Sequence, residues 1–438
     1  MRDSRKLALA LALMALLSLP AIARAQFDEG RAGSEGPGFK AGRLVLHPGL
    51  ELQGGYVNNI FLQENGLQED TFILRLSGYL DVATKPPVRQ SEGDTAKAEP
   101  QKIQFRGGVG ARYYHFFNDR VPDGVAADAH VDFKYNPSKV FTLALNDMFV
   151  RTVQPFTNPT SLQGTSDSSG RNTNTGKLAL IGRSKSRVLE GSVGYTNVFR
   201  FYDAAIFQFA NYLDHQVPAQ LSWSFFPRSA LVYVADYGRR NWADQNNNDV
   251  TVLLSDSNRI SNMVGYNGAL TERFALTAML GYAAGFFDVG SDFDGVIATV
   301  EARYSPRPTI TFTAGYEKDF QPSLIGNFTQ INLLRTDTTF ILAGAFSLGL
   351  RTWLSFNKSG LALAPDGSLL GNQPYRKDTR LWVAVNGEYR IRAWLALTAQ
   401  VGYVADFTDY QYLGAPPLPE PRAQFQRWNA WLGLRVFY

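Results

Sequence analysis

From Leu44 to Tyr438 the chain repeats one pattern, apolar side chains at every second position with polar ones between them. Leu44, Leu46, Leu50 and Leu52 alternate with Arg43, His47, Glu51 and Gln53. Phe72, Leu74, Leu76, Gly78, Leu80 and Val82 alternate with Thr71, Arg75, Ser77 and Asp81, and Val131, Phe133 and Tyr135 with Asp128, His130, Asp132 and Lys134. A helix brings apolar residues back at three and four, which here would spread charge over every face. Strands are therefore predicted throughout. The chain is 45% hydrophobic and 13% aromatic, ample for a large ordered body, and only 19% charged, which excludes a disordered polyelectrolyte. It has no cysteine, which excludes a disulfide framework and a thiolate metal site.

The punctuation alternates as well. Short turn chemistry stands at Asn136-Pro137-Ser138-Lys139, Pro227-Arg228-Ser229, Thr271-Glu272-Arg273, Ser305-Pro306-Arg307-Pro308 and Arg390-Ile391-Arg392. Long polar stretches separate these: 151–176, 239–258, 357–376 and 406–423. Short connections at one end and long ones at the other define an up-and-down hairpin array. The expected fold is all-β, a transmembrane up-and-down antiparallel β-barrel of about eighteen strands over residues 43–438.

The N-terminus has the three parts of an export signal: basic Arg2, Arg5 and Lys6, an apolar run from Leu7 to Leu19, and Ala23-Arg24-Ala25 before Gln26. A membrane-spanning helix needs about 20 apolar residues, and this run is shorter. Residues 1–25 are expected to be removed, with 26–42 left as a short periplasmic N-terminal segment. Arg2, Arg5, Lys6 and Arg24 against Asp3 carry most of the net charge of +4, so the remainder gives no support to a nucleic-acid partner.

What the apolar stripe meets decides between a soluble sandwich and a membrane barrel. The outward stripe is Leu, Val, Phe and Ala, while aromatic residues gather near strand ends: Tyr56, Tyr113, Tyr135, Tyr237, Tyr282, Tyr304, Tyr316, Tyr389, Trp394 and Tyr403. Amphipathic rings gather in this way at lipid headgroups. The final segment alternates Trp428, Ala430, Leu432, Leu434, Val436 and Tyr438. It looks like the terminal strand by which the assembly machinery of Gram-negative outer membranes recognises barrels, with Tyr438 as the signal. Outer-membrane lipid and that machinery are the partners expected.

Three stretches carry a closer resemblance: Leu46-His47-Pro48-Gly49-Leu50, then Tyr56-Val57-Asn58-Asn59-Ile60-Phe61, then Glu69-Asp70-Thr71-Phe72-Ile73-Leu74. Together they are similar to the start of the beta-barrel porin 2 family, with its asparagine-aromatic loop between two strands. The hairpins Phe225-Phe226-Pro227-Arg228-Ser229-Ala230-Leu231 and Tyr304-Ser305-Pro306-Arg307-Pro308-Thr309-Ile310 resemble its turns. Asn58 replaces a common acidic residue, and Phe226 replaces a turn serine. The resemblance implies a channel-like barrel associated with exopolysaccharide export, alongside a periplasmic export protein.

No catalytic constellation is legible. His47, His115, His130 and His215 sit in ordinary alternation, and no nucleotide loop, paired-histidine metal motif or dinucleotide fingerprint occurs. The expectation is no enzyme activity, no metal and no cofactor. Function is expected in the lumen, where parity turns Arg75, Tyr79, Arg106, Arg112, Asp128, His130, Asp132, Arg303, Arg351, Trp353, Arg380 and Trp382 inward. Mixed signs argue against a strongly ion-selective pore, and inward aromatics offer stacking surfaces to sugar rings. The same charged residues would equally brace the wall by cross-strand pairing. A one-residue bulge would reverse every assignment beyond it, and Asp147, on the apolar parity, signals such a slip or a strand end.

Segment 151–176 reads as a solvated loop, or else as one folded into the pore, and 84–101 reads as an unstructured stretch able to touch a periplasmic partner. The leading functional expectation is the outer-membrane conduit of an exopolysaccharide export system. The alternatives are a general or solute-selective diffusion porin, with a small solute as permeant, and a plugged structural or adhesive barrel.

Overall fold

The protein is described from a computed structural model covering residues 38–438 except 65, 85–100, 154–169, 204, 244–253, 324–325, 362–367, 370 and 412–422. The export signal and most of 84–101 lie outside the described residues. The described residues form nineteen strands. These are β1 (Phe39–Ala41), β2 (Leu44–Val57), β3 (Thr71–Thr84), β4 (Ile103–Phe116), β5 (Gly124–Tyr135), β6 (Phe141–Thr152), β7 (Arg171–Arg183), β8 (Leu189–Tyr202), β9 (Tyr212–Phe226) and β10 (Ser229–Trp242). They continue with β11 (Ser257–Ala269), β12 (Phe274–Phe287), β13 (Phe293–Arg307), β14 (Ile310–Pro322), β15 (Phe328–Leu342), β16 (Phe346–Ser359), β17 (Lys377–Arg392), β18 (Leu395–Phe407) and β19 (Phe425–Phe437).

Each strand from β2 onward pairs antiparallel with the next, and β19 returns to β2, with Asn429 opposite Val57 and Phe437 opposite Gly49. The eighteen strands β2–β19 thus form a closed barrel with no free edge. β1 only folds back on the start of β2. One end of the barrel has connections of two to five residues at seven of its turns, and the other has connections of five to eighteen. The exception is the β3–β4 link, long but on the short-turn end. The strands reach further into the polar stretches than their composition suggests. Arg171–Gly176 belongs to β7, Arg239–Trp242 to β10, and Arg392 to β17. Asparagine and threonine ladders supply no apolar alternation to read, so strands of that kind are invisible to periodicity.

Register shifts occur at Ser229/Ala230, Tyr304/Arg307 and Arg390/Arg392, all beside short turns. Parity is therefore kept through the body of each strand. Asp147 marks no slip: β6 runs on to Thr152 in unbroken register with β7, and Asp147 simply faces outward.

The outer surface is apolar, with Leu50, Leu52, Phe72, Leu76, Val109, Leu180, Val264, Leu280, Val401, Leu432 and Leu434 all exposed. A soluble barrel would not show such a surface, and a bilayer is the medium that covers it. Girdle tyrosines find partners on the adjacent strand or loop. The Tyr56 hydroxyl donates to Asp70 at 2.6 Å, Tyr282 to Asp294 at 2.6 Å, Tyr237 to Asn258 at 3.0 Å and Tyr316 to Asn332 at 3.0 Å.

Candidate functional site in the barrel lumen

All twelve lumen candidates lie on the inward parity of their strands, and many are tied to neighbours. Arg112 donates from Nε to Ser77 Oγ at 2.9 Å and from Nη1 to the Tyr114 hydroxyl at 3.3 Å. The Arg75 guanidinium lies 3.4 Å from the centroid of a Trp431 ring. His130 Nε2 stands 3.4 Å from Asp81 Oδ1, and Asp132 accepts from Asn146. Arg351 Nε meets Asp337 Oδ2 at 2.8 Å. Trp353 and Trp382, directly opposite each other on β16 and β17, have ring centroids 4.7 Å apart. Arg106, Asp128 and Arg303 take inward places on β4, β5 and β13. Tyr79 lies over Gly49, where a Cβ would come within 2.1 Å of the ring, and Trp431 lies equally close over Gly55. Two glycines on β2 thus admit two large rings to the inner wall.

Near the long-loop end, Arg376, Arg380, Asp378 and Asp406 form a buried network. Arg376 Nε meets Asp378 Oδ1 at 2.8 Å and its Nη2 meets Asp406 Oδ2 at 3.1 Å, while Arg380 Nε meets the same Asp406 oxygen at 2.8 Å. The Asp406 side chain is fully enclosed. Buried charges persist only when paired and hydrogen-bonded in this way.

Among the described residues, loop 58–70 enters the lumen, and Val121 of the 117–123 loop joins the same buried cluster. Ile60, Phe61 and Leu62 are buried against the inward side chains Ile73, Tyr114, Phe116, Ala126, Val404 and Trp431. Asn59, with 0% exposure, is its anchor. Its Nδ2 donates to the Gln63 carbonyl at 2.7 Å and to the Gln426 carbonyl at 2.9 Å, and its Oδ1 accepts from Gln63 N at 2.8 Å. Asn58 Oδ1 accepts from Trp428 N at 2.7 Å, so the loop also extends the β19–β2 seam. The expected candidate for a pore-entering loop, 151–176, is instead strand at both ends, and its remainder, 154–169, falls outside the described residues. The signal that would have found loop 58–70 is the apolar triplet Ile60-Phe61-Leu62 between polar neighbours, since a solvated loop has no use for three such residues in succession.

Half a circuit from the seam, β9 and β10 carry a second cluster that parity alone did not single out. The Arg240 guanidinium sits 4.0 Å from the Tyr212 ring and 5.6 Å from Trp242, and its Nη2 meets Asp214 at 2.6 Å. Arg200 faces the same Tyr212 at 4.9 Å. Trp242 Nε1 donates to the Ser255 carbonyl at 2.9 Å.

No family profile and no curated protein matches the sequence. Among solved structures, the chain is similar to the FrpB iron transporter of Neisseria meningitidis, at 10% identity over 90% of this chain and 81% of that one, with a TM-score of 0.46. It is also similar to OccAB4 of Acinetobacter baumannii, at 13% identity over 90% and 98% of the two chains, with a TM-score of 0.44. The opdK outer membrane protein of Pseudomonas aeruginosa is similar at 11% identity over 90% and 99%, with a TM-score of 0.43.

Proposed function

We propose that this protein is an outer-membrane channel whose permeant is a weakly charged glycan, in the role of conduit for an exopolysaccharide export system. The observation that carries this reading is the lumen lining, where indole and phenol faces stand beside arginines already neutralised by carboxylates. Trp353 and Trp382 form one such surface, with Arg351–Asp337 and Arg380–Asp406 on the same strands. Sugar rings stack on aromatic faces, and their hydroxyls bond to guanidinium and carboxylate groups without needing a net charge. A wall of balanced sign is poorly suited to an ion-selective pore. An 18-stranded barrel is wide enough for an aqueous path beside its side chains. The barrel holds no nucleotide motif, so the driving energy belongs to partners, including a periplasmic export protein.

The test is conductance of the refolded protein in a planar bilayer, with and without soluble oligosaccharides. Steady conductance with reversible block by long oligosaccharides is expected, with the block weakened several-fold in Trp353→Ala and Trp382→Ala. A folded, heat-modifiable barrel that stays silent would refute the channel reading. The inward position of Ile60-Phe61-Leu62 favours a second reading, a solute-selective diffusion porin, because a loop in the mouth narrows the path. Conductance unaffected by long glycans but blocked by a small solute would select it.

A further inference from the structure

The balance of charge along the lumen fails in one place. Elsewhere inward arginines meet carboxylates: Arg183 meets Glu190 at 2.6 Å, Arg259 meets Asp319 at 3.0 Å, Arg335 meets Glu301 at 2.6 Å and Arg351 meets Asp337 at 2.8 Å. On the closing wall Arg75 and Arg112 both lie within the field of Glu51. At the long-loop end of β7 and β8 this pattern stops. Arg171 opens β7 and Arg200 stands two residues before the end of β8, both on the inward parity, and among the described residues no carboxylate meets either. Asp203, three residues after Arg200, meets Arg151 on the outer face at 2.6 Å. Asp214 is taken by Arg240, also at 2.6 Å.

What these guanidiniums meet instead is aromatic rings and one another. Arg171 lies opposite Tyr202 in the ladder and donates to its hydroxyl, and Arg200, opposite Thr173, is the diagonal neighbour of Arg171. Arg200 in turn lies opposite Tyr212, whose ring has the Arg200 guanidinium at 4.9 Å and that of Arg240 at 4.0 Å. Tyr202, Tyr212 and Trp242 are buried, so the rings hold the cations to the wall rather than offer faces to a solute. Three arginines thus share one carboxylate, and the Nε of each is enclosed without a hydrogen-bond partner. Like charges side by side repel, and an enclosed donor left unused costs free energy. An anion on the guanidiniums relieves both.

We infer that Arg171, Arg200 and Arg240 form an anion-binding station at the long-loop mouth of the lumen, and that it takes the carboxylate of an acidic sugar residue. Guanidinium forks presented from one wall suit a carboxylate, whose two oxygens lie in one plane. Loop 58–70 and its cluster cover the opposite wall of the mouth, so a passing solute has the arginines beside it. The choice of a sugar as the carrier of that carboxylate rests on the glycan reading proposed above. The station itself does not, because equilibrium binding reads it without conductance: a silent barrel that still prefers the acid refutes the channel and leaves the station standing.

The test uses the full chain in lipid nanodiscs and ligand-observed NMR titration with trigalacturonate, with maltotriose as the neutral trisaccharide and with inorganic phosphate. Trigalacturonate is expected to bind about tenfold more tightly than maltotriose, with the preference shrinking as salt rises. Arg171→Gln and Arg200→Gln are each expected to remove most of that preference while the barrel stays heat-modifiable, and Arg335→Gln, at a carboxylate-paired arginine, to keep it. The comparison of acid with neutral sugar on the unaltered protein decides the matter even where a variant fails to fold. Equal binding of the two trisaccharides would overturn the inference, and so would a preference that survives in both folded variants. Phosphate binding as tightly as trigalacturonate would overturn the assignment to a sugar acid.

Discussion

The wall where the chain closes on itself and the wall half a circuit away use the same alternation to different ends. At the closing wall, β17–β19 and β2–β5, the outer face is apolar and the inner face is crowded. Trp431, Tyr114 and Trp382 project inward and cluster with loop 58–70, Tyr79 projects inward over Gly49, and the Arg376–Asp406 network ties the end of the loop before β17 to β17 and β18. At the far wall, β6–β10, inner contacts join neighbouring strands, as in Arg240–Asp214, while polar groups also appear outside. Strand periodicity fixes which face a residue takes, but only the neighbours it meets there decide whether that face is a packed interior, a water path or a lipid boundary.

The difference can be broken most forcefully at Asp406. Asp406→Ala leaves the buried Arg376 and Arg380 to share the single carboxylate of Asp378, and a loss of about 3–5 kcal/mol in unfolding free energy is expected, read from denaturant titration in detergent. Asp214→Ala on the far wall removes the carboxylate beside Arg240, which keeps its aromatic neighbours, and a loss of about half that is expected. Equal losses would erase the contrast between the walls. Asn59→Ala comes next. It removes the bonds to the Gln63 and Gln426 carbonyls and from Gln63 N, so about 1–2 kcal/mol is expected together with a larger, noisier single-channel conductance as the loop leaves the lumen. Unchanged conductance would remove loop 58–70 from any role in narrowing the path.

A smaller effect is expected at Tyr282→Phe, which deletes an exposed hydrogen bond to Asp294 and is expected to lower the denaturation midpoint only slightly in the same titration. The smallest concerns Asp123, in the loop before β5. Hydrogen bonds from Tyr113 and His115 hold its carboxyl down to about 2, from 3.8. Because the folded-state value is depressed, its contribution is complete above about pH 4 and fades as pH falls toward 2. Carboxyl carbon chemical shifts in a pH titration check this, and a midpoint near 3.8 would refute it.

Much of this was legible beforehand. Leu, Val and Phe at alternate positions give the strands, and the alternation of short and long connections gives the closed array and its eighteen strands. Two things were hidden, for different physical reasons. Arg171-Asn172-Thr173-Asn174-Thr175 forms strand without an apolar face, so its pairing rests on backbone bonds and on neighbours 19 or more residues away, which periodicity does not register. Loop 58–70 looked like a connection because its anchor is one asparagine bonded to a carbonyl 367 residues later. A contact of that span leaves no local trace. Asp147 was visible as an exception, but its meaning appeared only with Asn174 beside it on the same outer face.

That long span bears on the order in which the molecule forms. The bonds from Asn59 to Gln426 and from Trp428 to Asn58 exist only once β19 has reached β2, so they join residues 367 and 370 positions apart. Contacts of such high sequence separation form late, because the entropy of closing the ring has to be met before they return anything. Narrowing of the mouth and completion of the wall are then a single kinetic event, and an incompletely assembled barrel is also an ungated one.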